Sequence, residues 1–238
     1  VLLGFDDEEE WLKRWEDFCR EVSKFDENDH IKIFGEYRDV SLPSLGCKNL
    51  DDSQKVLIGD FVRRHHANIA QVISTYGLPS ENGEVKVFDS NFSYLNELAG
   101  FVARSHNHSL RDMADLLGDA RSRECRFAHP TFIMGVLRIS DYLQLTSERT
   151  PKILFKTMGF CSPVSILEWK KHISIMSTHS FHADEELLYL EADPKDATTL
   201  VEVKKLLVGL QQELDEYWAV TGEVYSRYPP LNKLTLNY

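Results

Sequence analysis

Two histidines and one aspartate are the residues whose types and spacing could carry chemistry. His66, His106 and Asp141 each follow an aliphatic side chain by four residues, the spacing that puts two residues on one face of a helix. A carboxylate on an inward-facing surface is costly unless it is paired or bound to a cation. Two imidazoles and a carboxylate from three helices would meet this requirement at a divalent metal ion. The pattern therefore predicts a metal site formed by these three residues.

Each of the three residues also has an interpretation without a metal. A single histidine on an apolar face is more often a hydrogen-bonded core residue than a ligand. Asp141 could pair with Arg138, which precedes it by three residues. The order His, His, Asp on successive predicted helices is what favours the metal site. No comparable setting surrounds five other histidines: His108, His129, His172, His179 and His182.

Predicted helices position these residues. Asp51-Asp52-Ser53 offers an N-cap for a long helix that runs to about Tyr76 and stops at Gly77-Leu78-Pro79. His129-Pro130 begins another helix, FIMGVLRISDYLQL, which is so apolar that we expect the other helices to enclose it. Further helices are predicted for residues 6–22, 92–102 and 110–119, and irregular segments for 26–50 and 80–90.

The pattern changes after Pro151. KHISIMSTHSF and ELLYLEAD are rich in β-formers and flank His182-Ala183-Asp184-Glu185, which predicts two antiparallel strands within residues 172–192. A last amphipathic helix is predicted over 198–225. Because an isolated hairpin is marginally stable, we expect this helix to cover it. The predicted fold class is therefore mainly α, a helical bundle with a small C-terminal α+β appendage.

The chain is acidic, with 27 Lys and Arg against 38 Asp and Glu and a formal charge of -11. This charge repels polyanions, so a phosphate-bearing substrate would need a local site, and a small substrate is favoured over nucleic acid. The four cysteines are far apart, which argues against a thiolate zinc site and against a disulfide framework. No stretch has the ~20 apolar residues of a membrane span. We therefore expect a cytoplasmic protein without a membrane partner.

Three segments, RRHHANIA, FVARSHNHS and GVLRISDYLQLTSERTP, resemble sequence blocks of the HD superfamily of metal-dependent phosphohydrolases. They are similar in particular to the HD-CE branch of bacterial conflict systems, in which an HD domain often precedes an Hsp90-like (GHKL) ATPase. That pattern is an Arg-x-x-His-Ala helix, a helix ending in His, and a Leu-Arg-x-x-Asp helix followed by an Arg-x-Pro turn. The matching positions are Arg63–Ala67, His106, Leu137–Asp141 and Arg149–Pro151, and the resemblance covers about residues 53–228.

The resemblance implies an HD-type helical domain over residues 1–160 that lacks its first helices, and a small α+β segment over 161–238 leading towards a downstream ATPase module. It implies hydrolysis of a phosphoester in a nucleotide or nucleic acid, with an effector role in antiviral defence. The implied cofactor is a divalent ion, Mn, Fe, Mg, Ni or Zn, held by His66, His106 and Asp141. The implied catalytic residues are Asp141 and a set of cations that would neutralise the negative charge developing on the phosphoryl group. These cations are Arg63, Arg64, Arg138, Arg149 and Lys152.

One feature of the superfamily is missing from the chain. No His-Asp dipeptide occurs in the 238 residues, although this pair and an earlier His characterise the relatives. The pair would fall just before Val1, so we expect the missing ligands to lie upstream. Their loss would instead make the chain an inactive HD scaffold that binds a nucleotide and regulates an attached Hsp90-like ATPase. A third interpretation is an all-helical adaptor whose histidines are core residues.

Overall fold

The computed structural model describes residues 8–37, 41–43, 49–80, 83–86, 93–118, 128–144, 162–181 and 184–226. Within these residues the chain is mainly helical and has a small antiparallel strand pair near its C-terminus, as the sequence predicts. The elements in chain order are α1 Glu8–Val22, α2 Glu27–Phe34, α3 Asp52–Tyr76, β1 Leu78–Ser80, β2 Gly83–Val85, α4 Ser93–Ser105, α5 Leu110–Leu116, α6 Pro130–Leu143, α7 Pro163–Ser174, β3 Ile175–Phe181, β4 Asp184–Ala192 and α8 Ala197–Tyr225.

Capping boxes determine where α2 and α3 begin. The side chain of Asp51 accepts the backbone N–H of Gln54, and the Gln54 side chain accepts that of Asp51. Asp26 and Asp29 make the same exchange at the start of α2. The prediction of an irregular stretch over 26–50 is therefore wrong for α2. The β1–β2 hairpin likewise replaces part of the loop predicted over 80–90.

Aromatic side chains pack α1 against the first half of α3. Phe61 of α3 makes edge-on contacts with Trp11, Trp15 and Phe18 of α1, with ring centroids 6.3, 5.2 and 5.4 Å apart. Aromatic pairs in this orientation add to the stabilisation from burying the rings. Side chains from α2 complete this first core, so α1 and α2 fix the start of α3.

The packing of α3 on α4 depends on a glycine. A Cβ at Gly100 would lie 2.9 Å from the carbonyl oxygen of Gln71, which is closer than such atoms normally come. Arg104 donates to the side-chain oxygen of Gln71 at 3.1 Å, and the Ser74 hydroxyl donates to the carbonyl oxygen of Asn96 at 2.8 Å. Late residues of α3 therefore meet early residues of α4. This antiparallel register places the end of α4 beside the middle of α3.

A second core lies between α5, α6 and α8. A Cβ at Gly135 would overlap the ring of Tyr217, so this glycine lets α8 approach α6. Ile133, Val136 and Leu137 are 39%, 41% and 37% exposed, and the prediction of an enclosed α6 is therefore wrong. The helix packs through one face, against α4, α5 and α8. The buried apolar members of the core are Leu110, Met113, Ala114, Met134, Tyr217 and Val220.

β3 and β4 form the predicted antiparallel hairpin, with Thr178 opposite Leu190. β3 follows α7 directly and packs beside it, while α8 packs on α5, α6 and α7. His172 belongs to α7, so the hairpin begins three residues later than predicted. Among the helices that the structure describes, none is long and apolar enough to cross a membrane.

Gly100→Ala should lower the free energy of unfolding by about 1–3 kcal/mol, because the added methyl group meets the Gln71 backbone and separates α4 from α3. Urea denaturation followed by circular dichroism measures this. Gly59→Ala is the matched control, since Gly59 lies inside α3 with open space where a Cβ would be. It should stabilise the protein by about 0.5–1 kcal/mol through helix propensity. Equal effects of the two substitutions would contradict the close approach at Gly100.

Candidate functional site

Two of the predicted metal ligands meet where the α3–α4 contact ends. Nε2 of His66 lies 2.6 Å from Nε2 of His106, across 40 residues of sequence, and the ring centroids are 4.7 Å apart. His66 is an exposed residue of α3, and His106 is partly buried just beyond α4. The structure brings this pair of residues together, and a metal between them stays a prediction.

Backbone carbonyls determine which nitrogen of each ring carries a proton. Nδ1 of His66 lies 2.6 Å from the carbonyl oxygen of Arg63, and Nδ1 of His106 lies 2.5 Å from that of Ala103. A carbonyl oxygen only accepts, so both Nδ1 atoms donate. Two neutral rings would then direct Nε2 lone pairs at each other and repel. At this distance the pair is suited to sharing a proton, and it could hold a metal cation only after the Nε2 atoms move apart to the ~3.3 Å of tetrahedral coordination.

The histidine pair lines a cleft of about 660 Å³. Asp141 lines the same cleft, so all three predicted ligands border one space. The walls come from α3, α6, α7, α8 and the residues just after α4. The lining residues are His66, His106, Asn107, Asp141, Tyr142, Glu168, Trp169, Lys171, His172, Leu206 and Glu213.

Asp141 borders the cleft without completing a metal-binding group. The residue is exposed, so the burial on which its prediction rested is wrong: α6 turns this face outward and not into the core. No group of three or more His, Cys, Asp or Glu side chains that could hold a metal ion occurs among the residues that the structure describes. A cation at the two imidazoles stays a prediction, and so does Asp141 as the source of a third ligand.

Arg138 is buried, and its guanidinium group binds other parts of the protein. Nε and Nη2 donate to the two carboxylate oxygens of Glu213 at 2.7 and 2.6 Å. Nη1 donates to the carbonyl oxygens of Ser105, at 2.7 Å, and His108. These two carbonyls flank His106, so Arg138 positions the segment that carries one histidine of the pair. Its contacts do not support the predicted role in neutralising substrate charge, and its partner is Glu213, not Asp141.

Arg63 and Arg64 bind the buried carboxylate of Asp60, one turn before them in α3. Arg64 also pairs with Glu21 of α1 at 2.7 Å. Neither arginine belongs to the described residues that line the cleft, so their contacts give them an anchoring role. The other two predicted cations, Arg149 and Lys152, lie outside the described residues.

α7 supplies a wall of the cleft that the sequence patterns did not reveal. Glu168, Trp169, Lys171 and His172 all line it, and the Lys171 ammonium lies 2.6 Å from the Glu168 carboxylate. The sequence indicated no ligand setting for His172 and placed it in the hairpin, but the residue lies on α7 and lines the cleft, since β3 begins only after α7 ends. The spacing of three and four residues from Glu168 to Lys171 and His172 is the helical signal that could have identified this face.

Two titratable neighbours of the predicted ligands have shifted pKa values. Burial, followed by the Glu213 carboxylate, raises the pKa of Tyr142. Burial lowers the pKa of His65, and the Arg14 and Arg64 cations lower it further. The His65 ring packs on Phe61 with centroids 4.7 Å apart. His65 therefore belongs to the core beneath α1, whereas its neighbour in sequence lines the cleft.

Comparison with known proteins agrees with the resemblance found in the motifs. A family model described as HD-CE matches residues 2–217, which include His66, His106 and Asp141. No curated protein and no solved structure gives a significant match.

Arg138→Met should destabilise the protein by about 3–5 kcal/mol, because it removes a buried guanidinium group and leaves the partly buried Glu213 carboxylate without its cation. Asp141→Asn is the control on the same helix. Since Asp141 is exposed, its substitution should change the free energy of unfolding by less than about 0.5 kcal/mol. Chemical denaturation of both variants measures the difference. Similar decreases in the free energy of unfolding of the two variants would contradict the assignment of Glu213 as the partner of Arg138.

His65→Leu should make stability less sensitive to acid. The fold holds the pKa of His65 below its usual value of about 6.5. The unfolded chain therefore binds the proton more readily, and stability falls as the pH drops below that value. Urea unfolding at about pH 7.5 and about pH 5.5 measures the free energy of unfolding, which should fall more between these two pH values in the wild type than in the variant. Equal losses would show that His65 does not contribute to the acid sensitivity.

Proposed function

This chain belongs to the HD-CE family, and we propose that it is a metal-dependent phosphohydrolase that cleaves a phosphoester of a nucleotide or nucleic acid. The observation that carries this proposal is the contact between His66 and His106. Their Nε2 atoms face each other at 2.6 Å, where two bare lone pairs would repel, so the rings need either a shared proton or a cation that they bind at a wider spacing. HD-type domains generally bind a divalent metal ion, so family membership favours the cation.

The donor atoms of the cleft suit a divalent ion. Imidazole nitrogen suits Zn, Fe and Ni, and the Asp141 carboxylate would add an oxygen donor that also suits Mn and Mg. A carbonyl behind each Nδ1 orients the ring, as the outer partners of metal-binding histidines do. When bound, such an ion supplies activation of water and charge stabilisation at a phosphoryl oxygen.

Other residues of the chain would bind the substrate and move protons. Lys171 lies on the cleft wall in an ion pair with Glu168, and it could contact a phosphate group only by leaving that pair. Asp141 and Glu168 are carboxylates of the same cleft that could accept a proton from the attacking water. Arg138 would act indirectly, by holding the carbonyls on both sides of His106.

A second candidate function is an inactive HD scaffold that binds a nucleotide and regulates an attached Hsp90-like ATPase. It is the form that the protein would take if no His-Asp pair lies upstream of Val1. The 238 residues contain no His-Asp dipeptide, and the described part of the chain contains no group of three metal donors. In this form the cleft would hold a nucleotide without cleaving it. A role in antiviral defence is compatible with both forms of the proposal.

His66→Ala and His106→Ala should each weaken the binding of Zn or Mn by at least about 10- to 100-fold, because loss of even an outer partner of a metal ligand costs that much. Isothermal titration calorimetry measures the dissociation constant. His108→Ala is the matched control, since His108 is exposed and follows His106 by two residues. Hydrolysis of nucleotides and oligonucleotides, with and without a chelator, is measured on the same proteins and on the full-length gene product.

Chelator-sensitive hydrolysis that both cleft variants lose and His108→Ala keeps would support the enzyme. Metal binding without hydrolysis by the full-length protein would favour the scaffold. A wild-type protein that binds neither metal would contradict the proposal and leave the two rings sharing a proton.

A further inference from the structure

The lining of the cleft includes aromatic and apolar side chains that the proposed hydrolysis does not use. Trp169 of α7, Tyr142 of α6 and Leu206 of α8 line it from three different helices. All three residues are partly buried, so each is held in the wall while part of it stays accessible. The histidine pair borders the same space. A ligand of moderate size could therefore contact these side chains and the histidine pair at the same time.

The size and lining of the cleft indicate a small molecule that contains a flat ring. Clefts of roughly 300–1,000 Å³ bind small ligands, with aromatic walls and a few polar groups that orient them, and this one is about 660 Å³. The face of an indole stacks on any nucleobase, since every base has a π-face. A sugar phosphate without a base would leave the Trp169 side of the cleft in contact with water.

We propose that Trp169 stacks on the base of a mononucleotide whose phosphate lies at His66 and His106. The inference rests on the proposed phosphohydrolase function, which assigns the phosphate to the histidine pair. Tyr142 and Leu206 complete the wall around the base. Trp169 is then the residue that distinguishes a nucleotide from other phosphate monoesters.

Charge favours a mononucleotide over a nucleic-acid strand. Two carboxylates of the cleft are already paired with cations, Glu168 with Lys171 and Glu213 with Arg138, so Asp141 adds a net negative charge and Lys171 is not a free cation for a strand. The whole chain has a formal charge of -11. A strand would bring several phosphates towards this acidic chain, whose overall charge repels them. A mononucleotide brings one phosphate group, which the histidine pair and its cation can hold.

Calorimetric titration of the 238-residue chain with AMP and with ribose 5-phosphate, each with and without Zn, tests the inference. Both probes carry the same phosphate monoester, and AMP alone carries a base. AMP should bind about 5- to 150-fold more tightly, the range expected for stacking of one base. Trp169→Leu should remove this preference, and Trp169→Phe should keep most of it because the ring face remains.

Equal affinities of wild-type protein for the two probes would overturn the inference, as would a Trp169→Leu variant that is folded and still prefers AMP. Tighter binding of a single-stranded oligonucleotide than of AMP would overturn the choice of a mononucleotide. Zn binding measured in the same titrations reports separately on the proposed function. If Zn does not bind, a preference for AMP that depends on Trp169 still supports the stacking and counts against the metal-dependent enzyme.

Discussion

The close approach of α3 and α4 at Gly100 and Gln71 is the constraint on which the candidate site depends. No side chain larger than hydrogen fits between the two backbones without a shift. Because the helices run antiparallel, this one contact fixes which residues face each other further along. Its consequence is that His66 and His106, 40 residues apart, meet ring to ring. The site thus follows from helix packing more than from any local motif.

A buried ion pair keeps the second histidine in that position. Arg138 joins Glu213 of α8 to the carbonyls of Ser105 and His108. Removing two charges from water is expensive, and good geometry on both sides is needed to offset the cost. Here two N–H groups of the Arg138 guanidinium group donate to the two carboxylate oxygens of Glu213. We infer that the pair specifies how α4, α6 and α8 fit together, and so fixes one border of the cleft.

Sequence alone predicted most of the helices and singled out the two histidines, because caps and residue spacing are local signals, but it did not predict α2 or α7. The Asp51 cap and the four-residue spacing before His66 and His106 are visible without a fold. The burial of Asp141 was predicted wrongly, since an apolar neighbour one turn away does not show which face of α6 the other helices cover. Trp169 and His172 were missed as members of the site, because only the packing of α7 beside α8 brings them to the cleft.

The proton positions on the two rings test the central claim most directly, namely that His66 and His106 present their Nε2 atoms to a shared cation. Nitrogen-15 spectra of the imidazoles, assigned with His66→Gln and His106→Gln, measure these positions before and after Zn is added. The account predicts protonated Nδ1 atoms in both neutral rings, and Zn-induced shifts at both Nε2 atoms while both Nδ1 protons remain. A neutral ring that is protonated at Nε2 and not at Nδ1 would contradict this claim. Nε2 resonances that do not shift when Zn is added would also contradict it.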